Sequence, residues 1–125
     1  MYQQEKLINT FCPANQNDWR TWLIKNHRTE QSVWLVYHKK KSNVPSISWS
    51  QAVDEALCFG WIDSTARPIN DSTFMQFFCK RKPKSVWSKI NKEKVNRLVN
   101  EGLMAQAGFE SIETAKKKWF VDNFR

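Results

Sequence analysis

Residues 48–63, Ser48-Trp-Ser-Gln-Ala-Val-Asp-Glu-Ala-Leu-Cys-Phe-Gly-Trp-Ile-Asp63, predict a helix that ends at a glycine directly before a strand. Ser48 and Gln51 have the spacing of a capping box, in which each side chain binds the backbone N–H of the other residue. Gly60 suits the position just after the helix, because glycine adopts a left-handed conformation without strain. These signals predict a helix-to-strand connection in the middle of the chain.

Apolar residues recur along this segment with helical spacing, and Asp54 and Glu55 fall on the opposite, solvated side. Its apolar side consists of Trp49, Ala52, Val53, Ala56 and Leu57. Two strands follow, Trp61–Ile69 and Thr73–Arg81, and a short loop between them predicts a hairpin. An earlier strand is predicted over Val33–His38, where β-branched and aromatic residues dominate.

Three further helices complete the predicted fold. One of them has Asn91 as its N-cap, with Ile90 and Val95 spaced as a hydrophobic staple. The prediction is an α+β domain with a small antiparallel sheet of about three strands packed with about four helices. Residues 1–14 form an N-terminal arm, and residues 15–125 form this single domain. The three further helices cover residues 16–27, the segment from Asn91 to Gly102, and the segment after Gly108.

The positive charge of the chain is concentrated in two short runs. The 125 residues include 20 Lys and Arg against 12 Asp and Glu, a formal net charge of +8. Lys39–Lys41 form one run, and residues 80–94 hold seven basic residues against one acidic residue. A local excess of this kind favours an anionic partner, such as nucleic acid, acidic lipid, or a phosphorylated or carboxylate ligand.

The two basic runs, together with nearby residues of the strand after Gly60, are the candidate anion-binding site. Lysine and arginine neutralise phosphates, Arg81 has the planar fork that holds an oxyanion, and Trp87 offers a stacking surface. If the strand order places the runs side by side, they form one cationic surface. The candidate residues are Lys39, Lys40, Lys41, Trp61, Asp63, Arg81, Lys82, Lys84, Trp87 and Lys89.

Each candidate also has a purely structural interpretation. The run at 80–94 is equally compatible with a solvated connection in which Trp87 packs into the core. Asp63 has three interpretations: it orients a ligand-holding cation, forms a structural salt bridge, or acts as a general base without a second catalytic group. No catalytic residue is therefore assigned. Strand alternation places Trp61, Asp63, Thr65 and Arg67 on one face.

The seven tryptophans divide into two groups. Trp61 and Trp87 have polar or basic neighbours, which makes them candidates for ligand contact. The others lie on apolar stripes and are predicted to be core residues. They are Trp19, Trp22, Trp34, Trp49 and Trp119.

Cysteine usage and the N-terminal sequence predict a cytoplasmic protein. Cys12, Cys58 and Cys79 are odd in number and widely spaced, so neither a disulfide scaffold nor a zinc site is expected. The N-terminus lacks the apolar region of a signal peptide, and no stretch is apolar enough to span a membrane. No metal or cofactor is predicted, because the sequence has neither metal-ligand spacing nor a glycine-rich phosphate loop.

Three motifs, Trp34–Lys41, Glu55–Thr65 and Arg81–Asn91, resemble the bacterial YdeI/OmpD-associated family, and the likeness extends over about residues 15–118. This resemblance implies a YjbR/CyaY-like α+β fold and a role in bacteriocin protection, linked to tolerance of cationic antimicrobial peptides. It implies no established reaction and no catalytic residue. Longer relatives continue into a basic helical C-terminal segment, which this chain is expected to lack.

Three functional hypotheses follow. The first is a non-enzymatic stress or peptide-tolerance protein that binds an anionic ligand or partner through its basic surface. The second is a nucleic-acid-binding module, and the third is an enzyme acting on a small anionic substrate with Asp63 in its site. Because a protein of charge +8 repels cationic peptides, the first hypothesis favours an indirect role over direct sequestration.

Overall fold

The computed structural model describes residues 9–124, with side chains to residue 117, and has an α+β fold. The predicted fold class is confirmed. Helices and strands alternate at first and then give way to a hairpin followed by two helices. The elements are β1 (Thr10–Phe11), α1 (Gln16–Asn26), β2 (Ser32–His38), α2 (Trp49–Cys58), β3 (Trp61–Pro68), β4 (Thr73–Lys80), α3 (Lys89–Asn100) and α4 (Gln106–Phe124).

The strands form one mixed sheet in the order β1-β2-β4-β3. β4 pairs antiparallel with both β2 and β3, as the predicted hairpin requires. The additional strand is β1, which pairs parallel with β2 inside the segment predicted to be an arm. Two residues are too short for an alternating pattern, so the sequence contains no sign of this strand. Residues 1–8 of the predicted arm lie outside the described part of the chain.

The helices cover one face of the sheet, and the main core lies between the helices and that face. Val33, Leu35 and Phe78 point from the sheet into this core, where Trp19 is fully buried as predicted. The Trp19 indole Nε1 donates a 3.0 Å hydrogen bond to the carbonyl oxygen of Ala52 in α2. This bond satisfies the one polar atom of a large buried ring and ties α1 to α2.

Helix α2 begins and ends as predicted, but neither of its acidic residues lies on a solvated side. The Asp54 side chain is only 14% exposed and pairs with Lys94 and Arg97 of α3. The capping box between Ser48 and Gln51 is present, and Gly60 has a φ of 74° just beyond the helix end. Glu55 is only 5% exposed, because α1 packs against that side of α2. Arg20 donates a 2.8 Å bond to Glu55 Oε1 and Gln16 donates to Oε2, so the buried carboxylate is paired.

Two predicted helix starts were wrong by a few residues. Ser88, not Asn91, caps α3: its hydroxyl accepts the backbone N–H of Asn91. This shift removes the predicted staple, since Ile90 now lies inside the first turn and is 62% exposed. Helix α4 starts at Gln106 and includes Gly108, which was expected to precede it.

Strand β3 contains a bulge that redistributes its side chains. The register slips by one residue between Asp63 and Ala66, so the alternation of faces reverses there. Arg67 therefore lies on the face opposite Asp63, with its guanidinium 5.0 Å from the ring centroid of Trp34. The predicted common face for Trp61, Asp63, Thr65 and Arg67 was wrong for this reason.

Among the described helices, none has the length and apolar character needed to cross a membrane.

Helix α4 approaches the end of α2 with no intervening side chain. A Cβ atom at Gly108 would overlap the carbonyl oxygen of Cys58, and one at Gly60 would come within 2.9 Å of the carbonyl oxygen of Ala107. The backbone N–H of Ala105 donates a 2.9 Å bond to the same Cys58 oxygen. Glycine at both positions thus brings the first turns of α4 against the α2–β3 junction.

We expect Gly108→Ala to destabilise the protein by about 1–3 kcal/mol, because the added methyl group meets backbone that cannot move aside. The sign of the change in stability is diagnostic, because replacing glycine by alanine within an unobstructed helix stabilises the protein by up to about 1 kcal/mol. Urea denaturation followed by circular dichroism measures the change. Gln106→Ala, at an exposed position of the same turn, is the control and should change stability by less than about 0.5 kcal/mol. Increased stability of Gly108→Ala would contradict the close approach.

Candidate anion-binding cleft

A cleft of about 260 Å³ lies where the start of β3 and the end of β4 meet helix α4. The strand end supplies aromatic and basic side chains, and α4 supplies the opposite wall. Phe59, Trp61, Pro83, Trp87, Ala107 and Ala115 are its apolar side chains, and Gly60 adds backbone. Its charged and polar side chains are His27, Arg28, Lys80, Arg81, Lys82, Glu110, Ser111 and Thr114.

Arg81 is the most firmly held cation of the cleft. Its backbone N–H donates a 2.9 Å bond to the carbonyl oxygen of Gly60, which fixes the residue just after β4. Its guanidinium stacks on the ring of Trp87, 3.9 Å from the centroid. It also donates to Ser85 Oγ (3.1 Å), to the carbonyl oxygen of Val86 (3.3 Å) and to Asn91 Oδ1 (2.9 Å). The cation is therefore oriented before any ligand arrives.

Burial lowers the pKa of Arg81 to about 10, and the negative charge of Asp63 opposes this shift. A pKa of about 10 still lies well above neutral pH, so the guanidinium is cationic. The three bonds engage three of the five N–H donors of the side chain. Its buried Nε–H has no acceptor among the described residues.

Trp61 provides a second buried donor without a partner. The side chain is 1% exposed and its ring lies edge-on to Trp22, with 5.6 Å between the centroids. Its indole Nε1–H has no acceptor within the part of the chain that the structure describes. An unpaired buried N–H costs about 1–3 kcal/mol. Trp61 and Arg81 both line the cleft, but these two donor atoms are buried beneath its surface.

Apart from Lys82, the remaining polar groups of the cleft already have partners. The Arg28 guanidinium lies 3.4 Å from Glu110 Oε1. The Lys80 ammonium donates a 3.1 Å bond to the backbone carbonyl oxygen of Arg28. His27 Nδ1 lies 2.6 Å from the carbonyl oxygen of Leu23, and this acceptor requires a proton on Nδ1. Lys82 is exposed and adds positive charge near the opening.

Trp61, Arg81, Lys82 and Trp87 are the predicted site residues that the structure brings together. Lys84 and Lys89 follow in the same segment but do not line the cleft: Lys84 lies in an exposed turn, and Lys89 is the exposed first residue of α3. The second basic run therefore divides between the cleft and a neighbouring solvated surface.

Lys39–Lys41 lie at the other end of the sheet. Lys39 follows β2, and its backbone N–H bonds the carbonyl oxygen of Ser72 in the β3–β4 turn. The register pairs His38 with Thr73 at that end and Ser32 with Cys79 at the end near the cleft. Six residue steps at about 3.3 Å each separate the two ends by about 20 Å. The two basic runs consequently do not form one surface.

Asp63 belongs to a hydrogen-bond network beside the core. Its Oδ2 accepts a 3.1 Å bond from Trp49 Nε1 and a 2.9 Å bond from Gln76 Nε2. The Tyr37 hydroxyl donates to Gln76 Oε1 at 2.8 Å, and burial raises the pKa of Tyr37. Trp49 is 55% exposed, so its predicted core position was wrong: its indole reaches across from the helix start to this carboxylate.

The α4 wall and the residues after α1 were absent from the predicted site. Glu110, Ser111 and Thr114 have helical spacing with Ala107 and Ala115, so a polar stripe was visible in the sequence. Nothing in the sequence placed this stripe on the same cleft as Arg81, because that placement depends on the packing of Gly60 and Gly108. Trp119, another predicted core residue, lies among residues whose side chains are not described. Among the side chains described, those of residues 9–117, no group of three metal-ligating side chains occurs.

The chain belongs to a family that is defined as a domain of unknown function (DUF8412), whose model matches residues 11–111. This range begins at β1 and ends in the second turn of α4, so it contains Trp61, Arg81 and Trp87 together with the first part of the α4 wall. No curated protein and no solved structure matches the chain.

We expect Asp63→Ala to destabilise the fold by about 1–3 kcal/mol, because Gln76 is 5% exposed and its amide would lose its acceptor. Urea denaturation measures the effect. The matched control is Asp71→Ala, which removes an exposed carboxylate from the β3–β4 turn and should cost less than about 0.5 kcal/mol. Equal stability of the two variants would contradict a structural role for Asp63.

Proposed function

We propose that this domain is a non-enzymatic binding protein that takes a small anionic ligand into the cleft beside Arg81. The observation that carries the proposal is the Arg81 guanidinium, which is stacked on Trp87 at a cleft whose described lining holds three further cations and one carboxylate. An oxyanion is the ligand that suits a guanidinium held in this way, since charge-assisted hydrogen bonds are the strong ones. The prior orientation of Arg81 by Trp87 and Asn91 reduces the entropy lost on binding.

The wider role proposed here is stress or antimicrobial-peptide tolerance, which the resemblance to the YdeI/OmpD-associated family and its YjbR/CyaY-like fold supports. The net charge of +8 disfavours direct capture of cationic peptides, so the proposed role works through an anionic ligand or partner. A cytoplasmic location is part of this proposal. It is supported by three free cysteines, Cys12, Cys58 and Cys79.

Nucleic-acid binding is the second candidate function. Lys82 and Lys84 are exposed beside Val86, which is 88% exposed, and this segment offers an unshielded basic and apolar surface next to the cleft. Affinity for a random single strand that falls steeply with salt, and that Lys82→Ala with Lys84→Ala abolishes, would favour this candidate. An enzyme with Asp63 as base receives less support, because Asp63 Oδ2 already accepts two hydrogen bonds.

The proposal predicts that small anions perturb the Trp61 indole N–H. We expect its ¹⁵N–¹H resonance, assigned with Trp61→Phe, to shift on titration with sodium benzoate and sodium phosphate at constant ionic strength. Arg81→Lys keeps a positive charge but removes the planar guanidinium that stacks on Trp87, and should weaken binding about tenfold, equivalent to about 1.4 kcal/mol.

The matched control is Lys41→Ala, which removes a cation at the far end of the sheet and should leave the affinity unchanged. If neither anion moves the Trp61 resonance at about 10 mM, where a ligand of millimolar Kd would saturate, the proposed function is wrong. An equal loss of affinity in Lys41→Ala and Arg81→Lys would also contradict it, because the effect would then be a general one of net charge.

A further inference from the structure

We propose that a surface beside the cleft docks onto the surface of an anionic lipid bilayer. Three large apolar side chains are exposed there: Val86 is 88% exposed, Ile90 is 62% exposed and Trp49 is 55% exposed. None of the three lines the cleft, so the proposal is independent of the ligand proposed for it. The docking surface consists of these three side chains and the exposed lysines Lys84, Lys89 and Lys92.

The guanidinium of Arg81 holds the backbone around Val86 and Ile90. Its Nη1 donates a 3.3 Å bond to the carbonyl oxygen of Val86, and its Nη2 donates a 2.9 Å bond to Asn91 Oδ1. Asn91 directly follows Ile90 in the first turn of α3. The two exposed aliphatic side chains therefore project from backbone segments that are tied to the same group.

The contact between α2 and α3 places Trp49 close to the same turn. The Lys94 ammonium donates a 3.0 Å bond to Ser50 Oγ, and Ser50 directly follows Trp49 at the start of α2. Lys94 follows Ile90 by four residues, so both lie on one side of α3. Ile90 is thus one helical turn, about 5.4 Å along the axis, from this contact. The three apolar side chains consequently belong to one region of the surface.

The charge around these side chains is positive. The segment 82–92 contains four lysines, all of them exposed, and no acidic residue. Glu93 is the one acidic residue of the longer run 80–94. Anionic headgroups attract such clusters, and each basic residue near the bilayer surface strengthens binding about fivefold. Exposed apolar groups among lysines are therefore complementary to an anionic bilayer in both charge and hydrophobicity.

The apolar groups favour a bilayer over a nucleic acid. Val86 and Ile90 are aliphatic and have no ring on which a base could stack. The ring of Trp87 is already stacked against the Arg81 guanidinium, 3.9 Å from its centroid. Aliphatic side chains gain free energy by leaving water for an apolar medium, which the acyl boundary of a bilayer provides. The half-exposed indole of Trp49 matches the preference of tryptophan for the headgroup region.

The test is co-sedimentation of the full chain with vesicles of phosphatidylcholine, either alone or mixed with an equal amount of phosphatidylglycerol. We expect at least about tenfold tighter binding to the anionic vesicles, and weaker binding to them as salt is added. If the chain does not bind the anionic vesicles at low salt, the proposal is wrong.

A paired serine variant tests the apolar component. Val86→Ser with Ile90→Ser keeps the charge and should weaken binding to the anionic vesicles at least about tenfold. The matched control is Ile24→Ser with Ile69→Ser, at positions that are 59% and 47% exposed in α1 and in the β3–β4 turn. We expect this control to bind like the unaltered chain. Unweakened binding by Val86→Ser with Ile90→Ser would overturn the proposal, because the attraction would then be purely electrostatic.

A paired glutamine variant tests the charged component. Lys84→Gln with Lys89→Gln should weaken binding to the anionic vesicles at least about tenfold. Lys40→Gln with Lys41→Gln removes the same charge at the other end of the sheet and should weaken it less than about twofold, because the solvent screens remote charges. Equal losses in the two pairs would overturn the proposal, since net charge alone would then explain the binding.

A random single-stranded oligonucleotide is the third probe. Tight binding of the oligonucleotide without binding to the anionic vesicles would assign this surface to nucleic acid and overturn the proposal. Circular dichroism verifies that each variant folds, which is expected because every substituted side chain is exposed. If Val86→Ser with Ile90→Ser does not fold, Val86→Ser alone provides the comparison, and unweakened vesicle binding by it would overturn the proposal.

Discussion

The contact of helix α4 with the carbonyl oxygen of Cys58 is the constraint on which the cleft depends. Helix α2 ends there, and the freed carbonyl accepts the backbone N–H of Ala105 instead of a further helical donor. Because Gly108 has no side chain, α4 continues directly past this point and stands beside the start of β3. A larger residue at either glycine of this junction would move α4 outward, and its polar stripe would no longer face Arg81. The ligand-sized space therefore follows from backbone packing rather than from the charged residues themselves.

Local signals in the sequence predicted most of the fold. The errors occurred where burial or strand pairing depends on residues that are distant in sequence. The capping box at Ser48 and the turn at Gly60 depend on residues within a few positions, so they could be predicted. The burial of Glu55 depends on Arg20, which is remote in sequence and reaches it only after α1 has packed. The strand at Thr10–Phe11 exists only because β2 offers it a free edge. Its residues alone give no indication of it.

The residues of the candidate site were also predicted only in part. The distribution of charge located both basic runs, and polar or basic neighbours indicated Trp61 and Trp87. Sequence left open whether the runs meet, because that depends on the direction of β2 and β4. Antiparallel pairing sends Lys39 and Arg81 to opposite ends of the sheet. The unpaired N–H groups of Trp61 and Arg81 could not be predicted either, since a missing acceptor is a property of the assembled structure.

The two margins of the sheet have a consequence for association between copies. An exposed strand margin recruits further strands and promotes aggregation unless the chain blocks it. On one side, β1 pairs with part of β2, and Ser46 Oγ accepts the backbone N–H of His38 beyond it. On the other side, β3 carries a bulge and ends in Pro68, which has no N–H to donate. Both margins resist strand addition, so this basic and aromatic-rich chain is protected from edge-to-edge polymerisation while its cleft stays accessible.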